Sequence, residues 1–207
     1  MRITILTDNP ASWIMPYIEE LKNKITEHEV EHIFNSKDIK NGDLMLILSC
    51  EKILKKSHLS FHKSNIVVHP SKLPLGKGWS PVAWQVLEGS KQIPLSLFEA
   101  NEKVDAGDVY ILDYFSLEGH ELNDEIKNKQ GNKTIEMVLS YINNYDFIKG
   151  KPQTGKETFY DKRKATDSEL DINMSLKEQF NLLRVVDNDR YPAYFFNNGK
   201  KYILKIF

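Results

Sequence analysis

Apolar positions along this chain change period several times, and each change predicts an element. Arg2 to Thr7 alternates and is rich in isoleucine, which reads as a first strand. Asp8-Asn9-Pro10 turns the chain. A helix follows in which Trp13, Tyr17 and Leu21 fall four apart with Ile14, Ile18 and Ile25 beside them. Ser12 suits its N-cap, and Pro16 sits in the first turn, where a missing N–H does least harm. Val30 to Asn35 is a second strand. Leu44 to Leu48 is apolar without alternation, as expected for a parallel strand covered on both faces, and Ile66 to Val68 is another.

Val82 to Leu87 reads as a short helix, and Ile93 to Glu99 and Val109 to Phe115 alternate like strands. Leu122 to Ile142 carries a long helical pattern with a weak point at Gly131. Asn144 to Gly155 is polar and holds Gly150, Pro152 and Gly155, so a boundary is expected near residue 150. Beyond it, Ser175 to Glu178 reads as a capping box for a helix with Leu176, Phe180 and Leu183 on its apolar face. The last residues read as a β-hairpin around Asn198-Gly199, a dipeptide suited to a type I′ turn.

This order predicts an α/β protein: a Rossmann-like sheet with helices on both faces over residues 1–150, and a C-terminal helix and β-hairpin over residues 151–207. Ligands are expected in a crevice at the carboxyl ends of the strands. The first strand–helix turn lacks Gly-x-Gly-x-x-Gly, which argues against a nicotinamide or flavin dinucleotide.

Charge narrows the partners. The 207 residues carry 28 Lys and Arg against 29 Asp and Glu, a net charge of −1. A chain gripping nucleic acid usually shows a basic excess, because phosphate neutralisation supplies most of that affinity. No nucleic-acid partner is therefore expected, and the basic stretch Lys149 to Lys164 reads as a solvated loop. Cys50 is the single cysteine, so an internal disulfide is impossible. No run reaches the length of a membrane span or a signal peptide, so the expectation is a cytoplasmic protein without a membrane partner.

Two residues carry the candidate chemistry. His69 ends an apolar run and is followed at once by a loop rich in Pro, Gly and Lys. Asp105 precedes a Gly turn after a later strand. A histidine held by a carboxylate handles protons near neutral pH, although each residue alone is more often structural. His28/His32 and His58/His62 have i,i+4 spacing but read as exposed residues near helix ends, so no metal site is expected.

Val67-Val68-His69-Pro70-Ser71-Lys72-Leu73-Pro74, followed by Asp105-Ala106-Gly107, resembles the signature of the N10-formyltetrahydrofolate-dependent formyltransferases: Asn-x-His-x-Ser-Leu-Leu-Pro and a later Asp-x-Gly. The loop PLGKGWSP resembles the Arg/Lys-Gly stretch that follows that histidine in the family. The tail segments KRKATDSELD and NLLRVVDNDRYPAYFFNNGKKY resemble those of sugar formyltransferases. One departure stands out. The Asn two residues before the histidine is Val67 here, and losing one such oxyanion donor costs on the order of 3 kcal/mol. Asn65, Asn101, Ser71 or a backbone N–H are the stand-ins considered, with Asn65 expected to need a strand bulge.

The resemblance implies a transferase that moves the formyl group of N10-formyltetrahydrofolate directly to an amine, with His69 and Asp105 catalytic and no metal. It implies a donor pocket at Ser49, Cys50, Glu51, Lys52, Ile53 and Leu54, closed by Val104 and Asp108. The acceptor it favours is a nucleotide-linked 4-amino-4,6-dideoxy sugar, UDP ahead of dTDP, from a surface-glycan or pseudaminic-type nonulosonic acid pathway. Ser71, Lys77, Gly78, Trp79, Ser80 and Pro81 would hold the sugar and phosphates, with Ser12, Trp13, Tyr194 and Phe195 near the nucleotide. A separate RNA-binding C-terminal domain is not expected in this length. The aromatic-rich hairpin is a candidate homodimer contact. Glycinamide ribonucleotide or a carrier-bound aminoacyl group as acceptor, or a silent relative, are the other readings.

Overall fold

The computed structural model describes residues 1–207. The chain runs β1 (Arg2–Leu6), α1 (Met15–Lys24), β2 (Glu29–Ile33), β3 (Gly42–Ile47), α2 (Lys56–Leu59), β4 (His62–His69) and β5 (Lys77–Gly78). It continues with α3 (Pro81–Leu87), β6 (Gln92–Glu99), β7 (Val109–Ser116), α4 (Asn123–Asn143), β8 (Phe159–Tyr160), α5 (Phe180–Val185), β9 (Ala193–Asn197) and β10 (Lys200–Leu204). Six strands form one sheet in the order β2-β1-β3-β4-β6-β7. The first four are parallel, and β6 and β7 join antiparallel. The chain leaves β1 for β2 on one side and returns to β3 on the other, so a crevice opens at the carboxyl ends of β1 and β3.

The unbroken apolar runs are what coverage on both faces requires. Ile3, Ile5, Leu44, Leu46 and Ile66 pack under α1 and α4 in the larger core. Leu6, Met45 and Ile47 meet Ile33, Ile39, Leu54 and Leu59 on the opposite face. Gly131 does not weaken α4, which is continuous. A side chain there would strike the Tyr17 ring, so the glycine lets α1 and α4 approach closely.

Four local expectations change. Ser12 does not cap α1: the helix starts at Met15 after Ile14, and the Ser12 hydroxyl lies 2.8 Å from that of Ser49. β4 begins at His62, where pairing with β3 starts at Gly42, and its two buried polar side chains each find a partner for one atom. His62 Nε2 is 2.9 Å from Thr4 Oγ1, and Asn65 Nδ2 donates to the Leu59 carbonyl at 3.1 Å. His62 is thus buried in the sheet, not exposed at a helix end, and burial lowers its pKa. Ser175 and Glu178 exchange their capping bonds, yet the chain stays in turns until Phe180, and Leu176 is exposed. Finally, β5 and β8 pair in a short parallel ribbon that no periodicity announced.

The C-terminal residues pack onto the sheet body. Val185 belongs to the larger core, and the buried Arg184 guanidinium lies 3.2 Å from the buried Glu121 carboxylate at the start of α4. β9 and β10 form the hairpin, with Asn198 and Gly199 both at positive φ, as a type I′ turn requires. No helix is long and apolar enough to cross a membrane.

Candidate active site

His69 is the last residue of β4, and its ring is held from two sides. Nε2 lies 2.9 Å from the Gly76 carbonyl, and Nδ1 lies 3.7 Å from Asp105 Oδ2. A carbonyl can only accept, so Nε2 is the nitrogen that carries the proton in the neutral ring. Nδ1 then faces the carboxylate across a gap slightly beyond hydrogen-bond reach. Asp105 adopts the left-handed conformation at φ 47°, and its Oδ2 accepts the Gly78 N–H at 2.9 Å. The turn below it is fixed by Gln153, whose Nε2 donates to the carbonyls of Asp105 and Gly107 at 2.9 and 2.8 Å. Gly107 admits no side chain there, because a Cβ would overlap the Glu99 carbonyl.

The pair faces an open-sided cavity of about 520 Å³ at the carboxyl ends of the strands. Val67 and Val68 point to opposite faces of β4, so the cavity wraps both sides of the strand end. On one side stand Ile47, Leu54, Leu59, Val67, Phe98 and Ala100. On the other stand Ile14, Val82, Ala83, Ile126 and Val185.

Most of the expected binding residues line this space: Ser49, Cys50, Glu51, Lys52, Ile53, Leu54 and Val104 towards the first side, and Trp13, Gly78, Trp79, Ser80 and Pro81 towards the second. Six do not. Lys77 is buried with Nζ on Glu157 at 2.6 Å, because the β5–β8 ribbon turns it away from the cavity. Ser71 lies fully buried beneath its loop, its carbonyl accepting from the Ser96 hydroxyl at 2.7 Å. Asp108 is exposed and outside the lining, its carbonyl paired with the Glu99 N–H. Ser12 supports Ser49 from behind. Tyr194 and Phe195 belong to the hairpin: the Tyr194 hydroxyl donates to Glu169 at 3.0 Å, and Phe195 stacks on Tyr202.

Sequence reasoning missed a polar stripe along α4. Asn123, Lys127, Gln130 and Thr134 all line the second side, spaced four, three and four apart. Polar residues at helical period flanking the apolar face of the helix were the available signal. Lys127 Nζ lies 3.4 Å from Asp187 and 3.6 Å from Asp124. Asn101 and Lys103 also face the cavity, and the Asn101 Oδ1 is spent on the Lys103 N–H at 2.8 Å, leaving Nδ2 without a protein partner.

Asn65 shares the face of His69 without any bulge, since i and i+4 of a strand point the same way. It sits behind Val67, outside the cavity lining, with its amide bound to Leu59. Burial, with Asp8 nearby, pushes the Cys50 thiol up to about 12, which disfavours the thiolate. No group of three His, Cys, Asp or Glu side chains converges as a metal site would require.

A parallel-rich sheet thus presents a His–Asp pair, suited to moving protons, to a two-sided cavity. Residues 2–142 match the family model described as formyl transferase, and the chain belongs to that family. Among curated proteins, a methionyl-tRNA formyltransferase of Ehrlichia ruminantium (strain Gardel) is 28% identical over 163 residues, covering 78% of this chain and 52% of that protein. The chain spans about half the length of the curated relatives it matches. Among solved structures, a methionyl-tRNA formyltransferase from Clostridium thermocellum superposes with a TM-score of 0.82 at 20% identity, covering 97% of this chain and 90% of that one. A 4-N formyltransferase from Francisella tularensis gives 0.77 at 17%, covering 99% and 96%.

Proposed function

We propose that this protein transfers the formyl group of N10-formyltetrahydrofolate to the primary amine of a nucleotide-linked amino sugar, with the folate on the Ser49–Leu54 side of the cavity and the sugar on the α4 side. The observation that carries the acceptor class is the α4 stripe. Asn123 and Gln130 offer hydrogen bonds for a polyhydroxylated ring, Lys127 adds N–H donors held in place by Asp187, and Trp13 and Trp79 offer flat apolar walls. The net charge of −1 supports a small-molecule acceptor over tRNA. Methionyl-tRNA is the second reading, favoured by the names of the curated relatives.

The amine attacks the formyl carbon, forming the new C–N bond. The tetrahedral species then collapses with cleavage of the carbon–N10 bond. One proton leaves the amine and one arrives at N10. With Nε2 committed to Gly76, Nδ1 of His69 is the nitrogen free to exchange that proton, and Asp105 stabilises the cation formed. The experiment is a folate-absorbance assay with UDP- and dTDP-linked 4-amino-4,6-dideoxyhexoses beside methionyl-tRNA. Turnover of a nucleotide sugar is expected. Formylation of methionyl-tRNA with the sugars inert would overturn the reading.

Two further expectations belong here. Val67 faces the cavity on the side of His69, so Val67→Asn restores an amide donor for the formyl oxygen. It is expected to keep or raise kcat, by up to about 100-fold. A fall in kcat at an unchanged melting temperature would show that another group already fills that space. The terminal hairpin leaves Phe196, Tyr202 and Ile203 exposed, which supports pairing of two copies there. Sedimentation at assay concentration should give a dimer, and a monomer alone would remove that contact.

A further inference from the structure

The two groups that hold the His69–Asp105 pair, the Gly76 carbonyl and the Gly78 N–H, lie two residues apart on one loop. That loop is outside the main sheet, and its backbone is fixed by residues 157–160. Thr158 alone makes three bonds to it. Its N–H donates to the Pro74 carbonyl at 3.3 Å, its carbonyl accepts the Lys77 N–H at 2.9 Å, and its hydroxyl accepts the Gly76 N–H at 2.8 Å. The Trp79 N–H adds a bond to the Tyr160 carbonyl at 3.1 Å. Gly76 sits at φ 66° with the Tyr160 ring where a side chain would be, so the loop is also pressed from that side. β8 pairs with nothing but β5.

We propose that Thr158 is a positioning residue for the His69–Asp105 pair, setting the plane and tautomer of the imidazole through the Gly76 peptide. This rests on the formyl-transfer reading only for its kinetic consequence. The hydroxyl fixes the Gly76 N–H, and that peptide's neighbouring carbonyl is the partner of Nε2. Freeing the N–H leaves the peptide that carries the Gly76 carbonyl held only through its Lys77 N–H. Gly76 can then tilt about that bond, which loosens Nε2 and widens the 3.7 Å gap to Asp105. A side chain that never meets substrate thereby controls which ring nitrogen is available for proton transfer. Displacing reacting groups by about 1 Å costs on the order of 100-fold in rate.

The test compares Thr158→Val, which keeps the shape and removes the acceptor, with Thr158→Ser, which keeps the acceptor. Two signals are read: the ring-nitrogen resonances of 15N-labelled His69 in ligand-free protein, and the kinetics. In the parent the Nε2-protonated form is expected. In Thr158→Val the resonances should move towards a mixture of tautomers, with kcat down about 10- to 100-fold and KM for both substrates within about twofold of the parent. Thr158→Ser should restore both. Glu157→Gln weakens the same ribbon at Lys77 and not at Gly76, so it should leave the ring resonances unchanged. If Thr158→Val does not fold, Thr158→Ala is read in its place. A folded variant with parental resonances overturns the proposal, as does an equal movement in Glu157→Gln. Absence of formyl transfer in the parent would overturn the formyl-transfer reading, and the resonance comparison would still decide the role of Thr158.

Discussion

Asp105→Asn is expected to lower formyl transfer by about 100- to 10,000-fold, and His69→Ala by at least as much within that range. The argument rests on what each replacement keeps. The asparagine fills the same volume, and its Oδ1 can still accept the Gly78 N–H that holds Asp105. Gln153 continues to clamp the turn through main-chain carbonyls. Lost is the negative charge 3.7 Å from Nδ1, the nitrogen left free once Nε2 is bound to Gly76. Without it, the imidazolium formed when the amine gives up its proton faces a neutral amide, and the proton transfer loses its stabilising partner. His69→Ala removes the proton acceptor altogether. It also frees the Gly76 carbonyl, so its melting temperature should fall slightly while that of Asp105→Asn stays near the parent. Single-turnover folate absorbance gives the rate, and thermal unfolding gives the control. Parental turnover in either folded variant would remove the pair from the mechanism.

The pair was legible through the resemblance: a histidine closing an apolar run and an acid before a glycine turn are each more often structural, and only the two motifs together single them out. The sheet was legible for a different reason. Strands buried on both faces lack alternation, and Leu44 to Leu48 shows this without ambiguity. Lys77 misled because a lysine in a Gly-rich loop suggests an anion. Its direction is set by a two-residue pairing with Phe159 and Tyr160, some eighty positions away. Contacts of that kind leave no period in the sequence. His62 and Asn65 misled in the other direction. Polar residues made the expected strand begin late, whereas Thr4 and the Leu59 carbonyl each give one polar atom of these side chains a partner inside the sheet. The α4 stripe had a period and could have been found. It was hidden beneath the stronger apolar pattern of Ile126, Ile135, Val138 and Ile142 on the same helix.

The largest expected effect on stability lies away from the chemistry, at Glu121 and Arg184. Both side chains are 3% exposed, and their charges stand 3.2 Å apart. The Glu121 carboxylate also accepts Lys129 Nζ at 2.6 Å and the N–H groups of Glu118 and Gly119 at 2.8 and 3.0 Å. Arg184 Nε donates to the Glu121 carbonyl at 3.1 Å. Removing one partner leaves a buried charge uncompensated, which costs about 3 to 5 kcal/mol. Glu121→Gln, which strands the buried Arg184 cation, should show a loss of that size in urea unfolding, Arg184→Met a smaller one because Lys129 and the two N–H groups still hold the carboxylate, and the double variant should lose less than the sum. Burial alone would raise the carboxyl's pKa, but Lys129 and the two N–H groups outweigh it and hold Glu121 well below the usual carboxylate range. A carboxylate whose folded pKa is depressed contributes stability that is complete above its ordinary pKa, about 4.3, and declines as the pH falls below it. The gap between the parent and Glu121→Gln should therefore be full at pH 7 and narrow progressively below about pH 5. A gap that stays constant from pH 7 to pH 3 would contradict this account. The pair joins α5 to the start of α4, where Asn123 and Lys127 face the cavity beside Val185. Its loss should consequently raise KM for the acceptor more than KM for the folate, because only the α4 side of the cavity rests on it.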